Sequence, residues 1–134
     1  MRLSLLASSL IVLGLAACGG LAYDSLDASE WLPDFHGEHG AIAFNAERFS
    51  AALTASHLTQ DEANAAALQL CGDGCEIILQ FEGQGACGSI AAGSNRVIGV
   101  GSGSPRDVAD SAALAQCSDA GGEACIVKLH ACNE

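Results

Sequence analysis

Seven cysteines, four histidines and a glycine-rich run hold most of the chemistry this 134-residue sequence could do. Cys71 and Cys75 have three residues between them, wider than the C-x-x-C of a redox centre, and Cys71 closes a stretch that reads as a helix. The negative end of a helix dipole disfavours a thiolate, so a structural disulfide is expected there. His36-Gly37-Glu38-His39 gathers ligand-type side chains. It lacks the i, i+4 spacing of a helical zinc motif and contains a glycine, so it reads as a solvated linker. His57 follows Ser56 just ahead of a helix, but no motif places the carboxylate or oxyanion donors a hydrolase requires. Gly99-Val100-Gly101-Ser102-Gly103 has the glycines of a phosphate loop without the G-K-[ST] that completes one. Glycines inside a strand mark close packing against a neighbour. The expectation is a protein with no catalytic residues, no metal and no cofactor.

The first cysteine has a different setting. Arg2 precedes an apolar run from Leu3 to Leu15, too short for a stable spanning helix and typical of a secretory signal. The run ends in Leu15-Ala16-Ala17-Cys18, which resembles a bacterial lipobox. That resemblance implies a signal peptide over residues 1–17, with Cys18 as the lipid-bearing N-terminus of a membrane-tethered, non-spanning chain. Gly19 after the modified cysteine resembles outer-membrane sorting, implying an outer membrane lipoprotein that faces the periplasm. Setting Cys18 aside leaves six cysteines, an even number suited to disulfides in an oxidising compartment.

Removal of residues 1–17 leaves 117 residues, enough for one small domain. Only Arg2 is lost among the charges, so 4 basic residues face 16 acidic ones, a net of −12. Such a surface excludes nucleic acid, whose phosphates require a basic footprint, and suits a basic partner or plain solubility. Residues 18–39 combine Tyr23, Trp31 and Phe35 with Asp24, Asp27, Glu30, Asp34 and Glu38. This segment reads either as a flexible acidic tether or as a strap whose Trp31 and Phe35 complete a thin core.

The elements emerge when the chain is laid against itself. Gly40-Ala41-Ile42-Ala43 matches Gly88-Ser89-Ile90-Ala91, and Asp61 through Cys71 matches Asp107 through Cys117. Cys71, Cys75 and Cys87 then correspond in order to Cys117, Cys125 and Cys132. The domain 40–134 is therefore a duplication, with repeats 40–87 and 88–134. Each repeat reads as a short strand (41–44; 89–92), a second strand (49–55; 96–101), a helix ending at its cysteine, and a third strand (76–81; 126–131). Thr59-x-x-Glu62 is a capping box, while Ser104 offers a cap with Pro105 in the first turn and Asp107 beside it. Alternation puts Ile77, Leu79 and Phe81, with Val127, Leu129 and Ala131, beneath the helices. Ile78, Gln80, Lys128 and His130 then share a mixed, partly wet face, the candidate partner-binding surface. The fold class expected is α+β: a duplicated ββαβ unit, with a mostly antiparallel sheet, two helices on one face and disulfide staples.

Six cysteines permit 15 pairings. Equivalence of the halves predicts Cys71–Cys75 and Cys117–Cys125 at the helix-to-strand junctions. Cys87 and Cys132 end equivalent strands, which predicts a third bond, Cys87–Cys132, joining the halves.

The twice-repeated order of G-x-I-A, second strand, alanine-rich helix ending in Cys, short loop, Cys, apolar strand and Cys resembles the bacterial "domain of unknown function 4189" family over residues 40–134. That resemblance implies an exported protein, often lipid-anchored, with some members in effector–immunity settings and no catalytic residues to carry over. The second strands depart from the aromatic, glycine-containing family pattern, reading Phe49-Ser50-Ala51-Ala52-Leu53 and Val97-Ile98-Gly99-Val100-Gly101. The function expected is a membrane-anchored periplasmic protein-binding module, such as an inhibitor or immunity protein against a basic antibacterial effector or hydrolase. The alternative is a structural or stress-related envelope lipoprotein without catalytic activity.

Overall fold

A computed structural model describes residues 37–134. The expected signal peptide over residues 1–17, Cys18, and the Trp31 and Phe35 of the acidic segment lie outside the described residues.

Strand β1 (His39–Asn45) turns into β2 (Ser50–His57), helix α1 (Gln60–Cys71) follows, and β3 (Glu76–Glu82) returns along the free side of β1. The second half repeats the order with β4 (Cys87–Ala92), β5 (Ile98–Gly103), α2 (Arg106–Asp119) and β6 (Ile126–Cys132). Every pairing is antiparallel. The duplicated ββαβ, α+β reading holds, but the strands form two sheets, β2-β1-β3 and β5-β4-β6. Each central strand is already flanked on both sides by strands of its own half, which leaves no edge of β1 or β4 for the other half to join. Each helix covers the outer face of its own sheet, and the bare faces turn toward each other: β1 lies against β4, β2 against β6 and β3 against β5. This arrangement places a pseudo-two-fold axis between the sheets, running along the strands.

Helix α1 begins where Thr59 accepts a hydrogen bond from the Glu62 amide (3.1 Å), and it ends where Gly72, at φ 95°, returns its N–H to Leu68 O (3.0 Å). Helix α2 starts differently from expectation. Pro105 is the N-cap with no side-chain cap bond, so Ser104 does not cap, and the helix runs two residues past Cys117 to Asp119. The eight-residue separation of Cys117 and Cys125, against four in the first half, leaves chain for that extra half-turn. Alanines bring both helices close to their sheets. Ala63 and Ala67 meet Ala41 and Ala43, and Ala113 and Cys117 meet Ala91, all fully buried.

A bulge in each third strand corrects the expected faces. Ala43 opposes Ile77 but Ile42 opposes Leu79, leaving Ile78 unopposed; Lys128 is skipped in the same way between Val127 and Leu129. One extra residue reverses the alternation beyond it. Ile77 stays beneath α1 with Ala41 and Ala43, whereas Leu79 and Phe81, opposite Ile42 and Gly40, face the other sheet. Leu129 and Ala131 face it likewise, opposite Ile90 and Gly88. Phe81, 5% exposed, fills the junction: a Cβ at Gly40 in its own sheet or at Gly88 in the other would strike its ring.

Three disulfides form with the expected partners. Cys71–Cys75 and Cys117–Cys125 close the helix-to-strand junctions, with Cα separations of 6.1 and 6.2 Å. Cys87–Cys132 also forms but does not join the halves, because Cys87 opens β4 directly opposite Cys132 of β6 in the same sheet. Its true equivalents are His39 and Glu82, which oppose each other in the first sheet and approach at 3.6 Å (Nδ1 to Oε2). A covalent tie in one half is matched by a histidine–glutamate side-chain contact in the other. His39 is thus a strand residue and not part of a solvated linker. What crosses between the halves here is Asn133, 3% exposed. Its Nδ2 donates to Glu38 O (2.7 Å) and Gly83 O (3.2 Å), and its Oδ1 accepts from the Ser56 amide (2.8 Å).

The glycines of β5 prove to be packing residues. Gly99, Gly101 and Gly103 alternate on the face under α2, and a Cβ on Gly101 would come within 2.5 Å of Ala113 N and 2.6 Å of Ala109 O. At Gly99 a Cβ would meet the backbone of Ala113 and Cys117. Backbone atoms cannot rotate away, so Gly99→Ala should force the helix off the sheet and destabilise the domain by about 1–3 kcal/mol. A urea midpoint unchanged from wild type would refute this close approach.

Candidate binding cleft between the sheets

The alternation of β1 prepares both of its surfaces. Small Ala41 and Ala43 sit under α1, while the larger Ile42 and Phe44 point to the opposing sheet. Around Phe81, Gly40 and Gly88 the sheets nearly touch, because glycine removes the side chains that would hold them apart. Toward the far ends of β1 and β4 they part around a cleft of about 320 Å³. Phe44, Phe49 and Ala51 form one wall, and Ile90, Ala92, Ile98, Leu129 and Lys128 form the other. Phe44 and Phe49 meet edge to face with ring centroids 5.5 Å apart. The Arg96 guanidinium lies 4.6 Å from the Phe49 ring centre, a cation–π contact between residues at equivalent positions of the two hairpin turns.

Both turns are anchored to the disulfide loops. Asn45 Nδ2 donates to Asp73 O (3.0 Å), and Arg48 donates to the same carbonyl. Asn95 Nδ2 donates to Gly121 O (2.9 Å), and its Oδ1 accepts from the Glu123 amide (3.0 Å). The staples at Cys71–Cys75 and Cys117–Cys125 therefore hold the loops against which the cleft's rim rests.

A second polar group lies between α2 and the sheet. The fully buried Ser89 donates to Asp110 Oδ1 (2.5 Å). His130 Nδ1 is 3.8 Å from that oxygen, and Arg106 reaches both Asp110 (3.6 Å) and His130 Nε2 (3.3 Å). The serine hydroxyl donates to the carboxylate and makes no hydrogen bond to the imidazole. It ties the helix to the strand, as the neutral Gln60 does in the first half by donating to Asn64 Oδ1 (2.9 Å) and Gly40 O (3.0 Å). Among the described residues no group of three or more His, Cys, Asp or Glu side chains is placed to hold a metal ion.

The four residues expected to form one contact face are separated by the structure. Gln80 and His130 lie opposite Ala41 and Ser89, on the helix-covered faces of different sheets. Ile78 occupies the bulge of β3, and Lys128 alone lines the cleft. β3 and β6 are edge strands facing β5 and β2 respectively, so no single surface unites the four. The cleft itself was missed, although the small–large alternation of Ala41, Ile42, Ala43 and Phe44 carried its signal: a strand with distinct residue sizes on two buried faces must pack on both.

Fold and cleft together define a disulfide-stapled, internally duplicated α+β domain with a preformed apolar opening between its halves. The chain belongs to the family described as domain of unknown function (DUF4189), whose model matches residues 39–132. No curated protein and no solved structure matches it.

Proposed function

We propose that this protein is an outer membrane lipoprotein, anchored through Cys18 and facing the periplasm, that acts by stoichiometric binding of another protein and not by catalysis. The partner is a basic protein, such as an antibacterial effector or hydrolase that this chain inhibits or against which it confers immunity. One observation carries the reading: an exposed surface of disulfide-held loops, to which both hairpin turns are hydrogen-bonded, that is ordered before a partner arrives. A surface already ordered before encounter loses little entropy on association. The exposed acids Asp73 and Glu123 on the loops, with Asp119 at the end of α2, supply long-range attraction for a cation-rich surface. Lipobox and cysteine parity support export and anchoring, since three disulfides require an oxidising compartment.

Two forms of the protein test anchoring and binding. Cys18→Ser should leave a precursor that is neither lipidated nor cut ahead of residue 18, and the soluble residues 19–134 should capture a basic partner from periplasmic extract. Capture should weaken as salt rises, because exposed charges are screened beyond about 8 Å at 0.15 M. Wild-type detergent partitioning of the Cys18→Ser protein together with a normally processed N-terminus would refute the anchor. Failure to recover a specific partner, together with no protection against a toxin encoded beside the gene, would favour the structural envelope reading.

A further inference from the structure

We propose that the intersheet cleft binds a single-chain amphiphile: an acyl chain of about a dozen carbons carrying a carboxylate, a size suited to a pocket near the roughly 300 Å³ lower bound of small-molecule sites. The inference is independent of the protein partner above.

The space arises from unequal substitution at equivalent positions. Register equates Phe44 with Ala92 and Ala51 with Ile98, so each large residue of one half has a small counterpart in the other. Had the halves kept the larger residue at both positions, Phe44 and Ile98 would each have a bulky counterpart and the opening would close. With Ala92 and Ala51 in place it remains about 320 Å³, walled by Phe44, Phe49, Ile90, Ile98 and Leu129. Such a lining takes a hydrocarbon chain.

Charge selects the head group. The chain carries 16 acidic and 5 basic residues, and four of the basic residues, Arg48, Arg96, Arg106 and Lys128, are described. Arg48 donates to the Asp73 backbone carbonyl, and Arg106 reaches Asp110 and His130. The other two belong to the cleft: Lys128 lines it and Arg96 covers Phe49. Among the described residues the Lys128 side chain makes no hydrogen bond or ion pair, and the Arg96 side chain makes only a long contact to Glu47 O (3.5 Å) beside its ring contact. Two cations with donors to spare at the mouth of an apolar opening, on an otherwise acidic protein, match an anionic head on an apolar tail. The guanidinium fork and the ammonium both favour a carboxylate.

The test titrates the full chain, disulfides intact, with dodecanoate and with dodecan-1-ol by calorimetry, in wild type, Lys128→Gln, Arg96→Gln and Ala92→Phe. Wild type should bind one dodecanoate saturably, about tenfold more tightly than the alcohol, the size of one charge-assisted contact. Lys128→Gln and Arg96→Gln should each weaken dodecanoate binding more than alcohol binding and so narrow that preference. Ala92→Phe, which restores the residue of the equivalent position, should abolish binding of both. Should that variant fold poorly, Ala51→Ile makes the same change at the other small position. Absence of saturable dodecanoate binding, equal affinity for acid and alcohol in wild type, or full binding in a folded cleft-filled variant would each overturn the proposal.

Discussion

Phe81→Ala is expected to destabilise the domain by about 3–5 kcal/mol, the range for removing a large buried aromatic side chain. That is a large fraction of the roughly 5–15 kcal/mol that holds a typical domain folded. The loss should fall at the top of the range because nothing nearby can collapse into the space. The ring is flanked by Gly40 and Gly88, which have no side chains to move, and its counterpart in the second half, opposite Gly88, is only Ala131. One aromatic thus serves both halves, and its removal should also loosen their docking. Urea unfolding followed by near- and far-UV circular dichroism measures both effects. A midpoint shift worth less than about 1 kcal/mol would show that the sheets are held together elsewhere, with Asn133 as the first place to look.

Removing the Cys87–Cys132 bond by a paired change to serine should cost about 4 kcal/mol, against about 2–3 for either short-loop pair, from the loop-closure entropy restored to the unfolded chain. The sequence separations of 45, 4 and 8 set this order. The first half shows what the position does without a covalent bond. His39 and Glu82 meet there, the glutamate side chain is 77% exposed, and such surface pairs contribute under about 1 kcal/mol. Comparison of the three double-serine variants by denaturant midpoint checks the ranking. Equal or greater loss from Cys71–Cys75 removal would mean that the loops supporting the hairpin turns, and not the β4–β6 tie, limit stability.

The strands and helices were legible because their signals are local. Thr59-x-x-Glu62 marks the start of α1 and Gly72 its end, and both are where the chain shows them. Two copies of the same pattern reinforced each boundary. Where a local signal failed, a tertiary demand had overridden it. Ser104 offers a capping hydroxyl, yet α2 begins at Arg106 with Pro105 as its cap, and it extends past Cys117 because the second disulfide loop is longer.

Pairing of the cysteines was legible from duplication, while the meaning of the third pair was not. Cys87 closes the first repeat in the sequence pattern, whereas hydrogen bonding makes it the first residue of β4. A boundary between repeats has no local marker when both sides are strand-like. The cleft was further out of reach. A bulge at Ile78 and another at Lys128 reverse the faces of both third strands, and one unpaired residue leaves no trace in a pattern of alternating apolar side chains.

Composition and periodicity alone determined that this chain is a duplicated, disulfide-bonded α+β domain with alanine faces beneath its helices. The elements and their alanine faces depend on residues within a few positions of one another, and the duplication and cysteine order on a pattern repeated along the chain. The tertiary structure alone decided that the sheet is two sheets, that Phe81 binds them at one end, and that a cleft lined by Lys128 opens at the other. Those features depend on which strand neighbours which, and that is settled by hydrogen-bond register and packing between segments far apart in the chain.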